Sequence, residues 1–284
     1  MKKHLQIIFP CLIFVLYSTK IIAQHTHDHK YVLLKDAIQY QDTLKLEQFF
    51  SDWYSESKSL IVNNYKELPE IKRNVYSLFI RFYFPKGLSE RDIPDELKGK
   101  YTNPDTIEAL FLPYKKPECI VIQNRIYFGV VKNFFKLLDE TEFEVDKMLI
   151  YSDSITNFGP PIEIRNKKTL YLIEKYENIL DSLLMQDVED SLMKGEINQE
   201  YYDKICLEID RRLEFLKPKV AIIPGHWGGI HILTMPIIHI IVFERSIHWA
   251  KILYRDSWWT GAEAYYIRIG NSWLKIIQRR TWAE

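Results

Sequence analysis

A chain of 284 residues, 47% of them hydrophobic, is long and apolar enough for one large domain or two modest ones. With 38 basic against 38 acidic side chains it lacks the excess of Lys and Arg that nucleic acid demands, and it gives a polyanion or membrane surface little to hold. Three cysteines, one of them inside the leader described next, allow one disulfide at most.

The chain opens with the three parts of a secretory signal: Lys2 and Lys3, an apolar run from Ile7 to Tyr17, and Ile21-Ile22-Ala23 ahead of Gln24. Cleavage is expected after Ala23. The run is shorter than the roughly 20 residues of a membrane span, so no stable transmembrane segment is expected after cleavage. Loss of Lys2, Lys3 and Lys20 would leave 35 basic against 38 acidic residues, a formal charge of −3. His25, His27 and His29 then alternate at the new terminus. They superficially resemble a metallo-β-lactamase ligand run one residue short, and read as an adventitious metal-binding segment.

Asp42 is placed to cap a helix with Leu46, Phe49, Phe50, Trp53, Leu60 and Ile61 on its buried face, and a second helix is expected from Pro69 to Phe84, stopped by Pro85 and Gly87. Residues 88–117, with four prolines, read as an excursion over the surface. Cys119–Val131 is β-branched and aromatic, and Asn124-Arg125 suggests the turn of a small hairpin. A strand follows across Lys147–Ile155. Two helices are then expected, one from Leu170 to Val188 and one from Tyr202 to Leu216. Cys206 lies in the second; whether it pairs with Cys119 is open.

The last block holds six of the seven tryptophans. Strands are predicted at Ile237–Phe243, Ile247–Arg255, Ala262–Ile269 and Trp273–Trp282, with Gly270-Asn271 as a two-residue turn. Lys251 with Arg255, and Lys275 with Arg279, should each share a face and make one side of the sheet partly polar. The expected fold class is α+β: a curved C-terminal antiparallel sheet packed against helices, with mainly helical N-terminal and middle regions. The expected segments are a signal peptide (1–23), a flexible His-containing N-terminus (24–30), a helical region with a small hairpin (31–165), a helical hairpin (166–217) and a β-meander (218–284), with 31–284 as one compact unit.

Gly261-Ala262-Glu263-Ala264-Tyr265 followed by Gly270-Asn271-Ser272-Trp273 resembles the closing meander of NTF2-like or SnoaL-like proteins over about residues 230–284. The same stretch, with the Gly225-His226-Trp227-Gly228-Gly229 turn, also resembles uncharacterised secreted bacterial proteins. The NTF2-like resemblance implies a strongly curved sheet around a conical pocket, in a family that mixes isomerases, dehydratases and proteins without catalysis.

The sequence contains no Gly-x-Ser-x-Gly elbow, phosphate-binding glycine loop, His-Glu-x-x-His or Cys-x-x-Cys, and no cofactor is expected. His226, exposed by its glycine-rich turn beside Trp227, is the leading catalytic candidate, with Glu263 and Asp256 as carboxylate partners and Arg268 as a further ion-pair partner; the bland reading of that turn is a tight bend with Trp227 as a core plug. Trp227, Trp258 and Trp259 are the ligand-binding candidates. Adjacent tryptophans in an extended connection face opposite sides, so one of Trp258 and Trp259 is available to a glycan, a small molecule or a protein partner, or rests at the edge of the core. His239, on an apolar strand, reads as a satisfied core residue. These features suggest an exported, non-enzymatic binding protein of the cell envelope, periplasmic or extracellular. The alternative is a small-molecule isomerase or hydrolase using a histidine–carboxylate pair.

Overall fold

The computed structural model describes residues 29–85, 117–138, 145–194, 199–224, 230–257 and 260–283. In chain order its principal elements are α1 (His29–Tyr40), α2 (Thr43–Ser59), α3 (Glu70–Phe82), β1 (Cys119–Gln123), β2 (Arg125–Val131), β3 (Leu149–Thr156), β4 (Lys168–Leu172), α4 (Glu174–Lys194), α5 (Gln199–Leu216), β5 (Ile237–Glu244), β6 (Trp249–Ser257), β7 (Thr260–Ile269) and β8 (Ser272–Ala283). The predicted signal peptide, the 88–116 part of the excursion and Gly225–Gly229 lie outside the described residues. Among those described, no helix is long and apolar enough to cross a membrane.

The chain divides into two units that cut across the segments expected from the sequence. The first contains α1, α2 up to Trp53, α4 and α5. Helix α1 begins at His29, within the segment expected to be flexible, because Tyr31, Leu34, Ala37 and Ile38 fall at helical spacing and are buried. Asp42 caps α2 as anticipated: its Oδ1 accepts from the Leu44 and Lys45 amides at 3.0 and 3.1 Å. Phe49 and Trp53 then pack on Tyr176 of α4, with Trp53 stacked at 4.6 Å. Arg212 of α5 donates from Nη1 to the Leu183 carbonyl of α4 at 2.8 Å.

The second unit is built on a six-stranded sheet in the order β8-β7-β6-β5-β2-β3. Its C-terminal antiparallel strands pack against a helix as expected, which makes the fold α+β. One pairing, β2 with β5, is parallel. The hairpin expected at Asn124-Arg125 does not form. Strand β1 instead runs parallel to β4 in a separate two-stranded sheet, while β2 pairs with β3 and β5. Local hydrogen bonds explain the switch. The Gln123 side chain bridges to β5 through Ile238 (Nε2 to O 2.9 Å; Ile238 N to Oε1 2.7 Å), and Asn124 exchanges bonds with Phe158. These ties carry the chain forward from one sheet into the next rather than reversing it. Leu170, expected to open a helix, lies in β4, and α4 starts only at Glu174.

One face of the sheet, with Phe128, Ile241, Phe243, Ile252, Tyr254 and Tyr266, forms a core with Val75, Leu78 and Phe79 of α3. The other face carries Val131, Val242, Leu253 and Tyr265 under Phe134, Leu137 and Val145. The faces are not simple alternations. Bulges interrupt β5 between Ile238 and Ile240 and β8 between Lys275 and Ile277. The second puts Lys275 opposite Tyr266 but Arg279 opposite Glu263, so these two cations lie on opposite faces, not on one as the spacing predicts. The Gly270-Asn271 turn forms as expected, joining Ile269 to Ser272 with Gly270 at φ +60°.

Gly159 marks a close approach of two backbone segments. A Cβ there would lie 2.0 Å from the Leu60 carbonyl oxygen, and the Gly159 carbonyl accepts from the Val62 amide at 2.9 Å. Neither partner is a flexible side chain. Gly159→Ala is expected to cost about 3 kcal/mol, the upper range for overpacking, read as a lower urea midpoint at unchanged slope.

Candidate functional site: a polar cleft beside a strand bulge

The bulge in β5 decides where His239 points. Ile238 pairs with Tyr254 and Ile240 with Leu253, leaving His239 as the extra residue. Such an insertion re-aims one side chain without breaking the strand. His239 thereby lines a cleft of about 530 Å³ on the face opposite α3. Leu253, Ile240, Leu149 and Val145 make its apolar floor. Its polar wall comes from β3, an edge strand, and from the one-turn helix Val145–Met148: Asp146, Ser152, Asp153 and Ser154. Tyr127 of β2, half exposed, stands at the rim.

Asp153 is oriented from both sides. Its Oδ1 accepts from the Ser154 amide at 2.7 Å and its Oδ2 from the Tyr151 hydroxyl at 3.1 Å. The cleft therefore brings together an imidazole, the Asp146 carboxylate and two aliphatic hydroxyls over an apolar floor, the mix that small-molecule sites use, while the Asp153 carboxylate, opposite Phe128 on β2, points to the other face of the strand. Among the described residues no group of three or more His, Cys, Asp or Glu side chains is arranged to hold a metal ion.

A second polar constellation lies deeper on the same face. Lys251 and Glu263, on adjacent strands and both essentially without exposure, pair at 2.8 Å. Lys251 also donates to the Leu137 carbonyl at 2.8 Å and lies 5.2 Å from the Tyr265 ring centre. The Tyr265 hydroxyl stands 3.1 Å from both the Leu137 carbonyl and Glu263 Oε1, so one hydrogen serves two acceptors. Arg279, half exposed, closes the cluster with an ion pair to the same carboxylate. Burial, reinforced by the negative charge of Glu263, holds the Tyr265 phenol well above its ordinary range. With Lys251 and Glu263 buried and paired, this cluster fastens β6, β7 and β8 to the Phe134–Leu138 turn.

Glu263, predicted as a candidate acid or base, thus pairs with Lys251 and Arg279. Arg268, considered as its partner, lies at the other end of β7 and contacts Glu70 at 3.2 Å. Asp256 is half-buried near the end of β6. His226, Trp227, Trp258 and Trp259 lie outside the described residues, as do His25 and His27; His29 is exposed at the start of α1. Cys119 is buried in β1, and the side chain of Cys206 lies outside the described residues. The cleft residues escaped sequence reasoning because a bulge leaves no mark in an almost wholly apolar strand. The only signal was a histidine interrupting that strand.

The fold and the cleft define an α+β protein with a mixed six-stranded sheet and a solvent-open polar pocket on one face. No family model matches the chain, and no curated protein or solved structure matches it.

Proposed function

We propose that this chain is an exported, non-enzymatic binding protein that takes a small hydroxyl-rich molecule, such as a glycan unit, in the cleft beside His239. The observation that carries the reading is the convergence of Asp146, Ser152, Ser154 and His239 on one apolar-floored cleft with Tyr127 at its rim. Hydroxyl groups of a polyol donate to the Asp146 carboxylate and accept from the serines and imidazole, while its C–H faces rest on the tyrosine ring. The meander that resembles NTF2-like proteins supplies part of the cleft's floor through Ile240 of β5 and Leu253 of β6, and the Lys2–Ala23 pattern supports export.

A second reading, proton transfer by His239 with Asp146, draws on the bulge that delivers an imidazole to a cleft already holding a carboxylate. A thermal-shift screen with monosaccharides and disaccharides separates the two readings. A true ligand at ten times its Kd is expected to stabilise the protein by about 1.4 kcal/mol, and Asp146→Asn or His239→Ala should remove that shift while leaving the unliganded Tm nearly unchanged. Conversion of the stabilising sugar on incubation would favour the catalytic reading. A screen with no stabilising sugar would sink the glycan assignment.

A further inference from the structure

Away from the cleft, the sheet face opposite α3 carries a second feature where β6, β7 and β8 run side by side. Trp249 pairs with Ile267, and Ile267 with Leu274, so their side chains form one apolar row across the three strands. Ile269 extends this face along β7, and Ile277, opposite Tyr265, extends it along β8. Phe135, from the turn that packs over Tyr265, sets its ring edge-on to Trp249 at 5.5 Å. This patch lies open. Phe135 and Ile269 are 59% and 61% exposed, Leu274 and Ile277 are 48% exposed, and Trp249 and Ile267 are half-buried. The patch ends where this face turns polar or is covered. Lys251 and Tyr265 are buried with the Leu137 carbonyl as their acceptor, and Arg279 is the exposed cation that follows Ile277 on β8.

We propose that two copies of this chain meet through this patch, face to face across a two-fold axis. The exposed apolar surface is on the order of 500 Å², a size at which a patch marks an interaction site. One side of a standard interface buries about 800 Å², and homodimer interfaces are about 65% apolar, so each copy must bring about 500 Å² of apolar surface. The patch meets that need. Contacts between different proteins that form and dissociate are only about as apolar as ordinary surface, whereas the Trp249-Ile267-Leu274 row is apolar throughout. An isologous contact sets this row against its own copy, at the roughly 10 Å spacing of stacked sheets, and buries no charge between them. The outer edge of β8 suits strand addition poorly. It carries Lys275, Arg279 and Arg280, and its register shifts between Lys275 and Ile277 and again between Arg280 and Trp282, devices that oppose edge-to-edge pairing.

Sedimentation velocity of the full chain from about 1 to 100 μM tests this. A reversible equilibrium is expected between the 34.0 kDa chain and a species of twice that mass. Leu274→Asp puts a carboxylate into the buried row and Ile269→Lys an ammonium at its end; each is expected to weaken association about a hundredfold or more. Leu44→Asp, at an exposed apolar position on α2, is expected to leave association unchanged. All three replaced side chains are exposed, so the fold should persist, and circular dichroism checks this for each variant. A monomer at every concentration, a dimer equally tight in Leu274→Asp and Ile269→Lys, or one equally weakened by Leu44→Asp would each overturn the proposal.

Discussion

Glu263→Gln is expected to lower the unfolding free energy by about 3–5 kcal/mol, seen as a reduced denaturant midpoint at unchanged slope. The substitution keeps the shape of the side chain but takes the Glu263 charge away from the Lys251 ammonium, which has no exposure and also donates to the Leu137 carbonyl. Breaking a buried pair from one side is far more costly than losing the pair altogether, because the surviving charge stays desolvated. Arg279→Ala is the contrast. That side chain is 53% exposed and its loss leaves Glu263 paired with Lys251, so a cost below about 1 kcal/mol is expected. Equal effects from the two substitutions would show that the cluster is solvated and contributes little.

Alkaline pH is expected to unfold the protein through its buried phenols. Tyr83, Tyr171 and Tyr265 are buried, and their hydroxyls reach the main-chain carbonyls of Thr234, Pro160 and Leu137. Burial is the leading cause that lifts all three above the ordinary tyrosine range. In the unfolded chain these groups lose their protons near pH 10, whereas the folded chain retains them to higher pH. Above pH 10 the folded state therefore binds more protons than the unfolded, and stability falls as pH rises. Each tyrosine removes about 1.4 kcal/mol by pH 11, so the three together remove roughly 4 kcal/mol, a large part of a typical domain's stability. The increase in tyrosinate absorbance should coincide with loss of the circular dichroism signal. Smooth, reversible ionisation of all tyrosines near pH 10 in a folded protein would contradict the burial.

Elements governed by local pattern were legible in the sequence. Strands β5 to β8 fall within two residues of their expected bounds because alternation and the Gly270-Asn271 turn are short-range signals, and Asp42 announced α2 by its capping geometry. What was not legible depends on distant partners. The β1–β4 and β2–β5 pairings join residues more than 40 positions apart, and nothing local in Cys119–Val131 distinguishes a hairpin from a crossover between two sheets. The bulge at Lys275 and Ile277 reversed the faces that simple alternation assigned. At the site, the candidates chosen for chemical type, His226 and the tryptophans, lie outside the described residues. Asp146 and His239 are joined by topology and a bulge rather than by spacing. Lys251 was read as a polar-face residue, yet it is buried because Glu263 and the Leu137 carbonyl satisfy it.

The most direct test of the proposed binding cleft is chemical-shift mapping of the ¹⁵N-labelled protein titrated with the sugar that stabilises it most. The cleft assignment predicts saturable shifts at Tyr127, Asp146, Ser152–Ser154 and His239, with His29 and His248 unmoved. Saturable shifts elsewhere, with the β3 and His239 signals unchanged, would show that the ligand site lies away from this cleft.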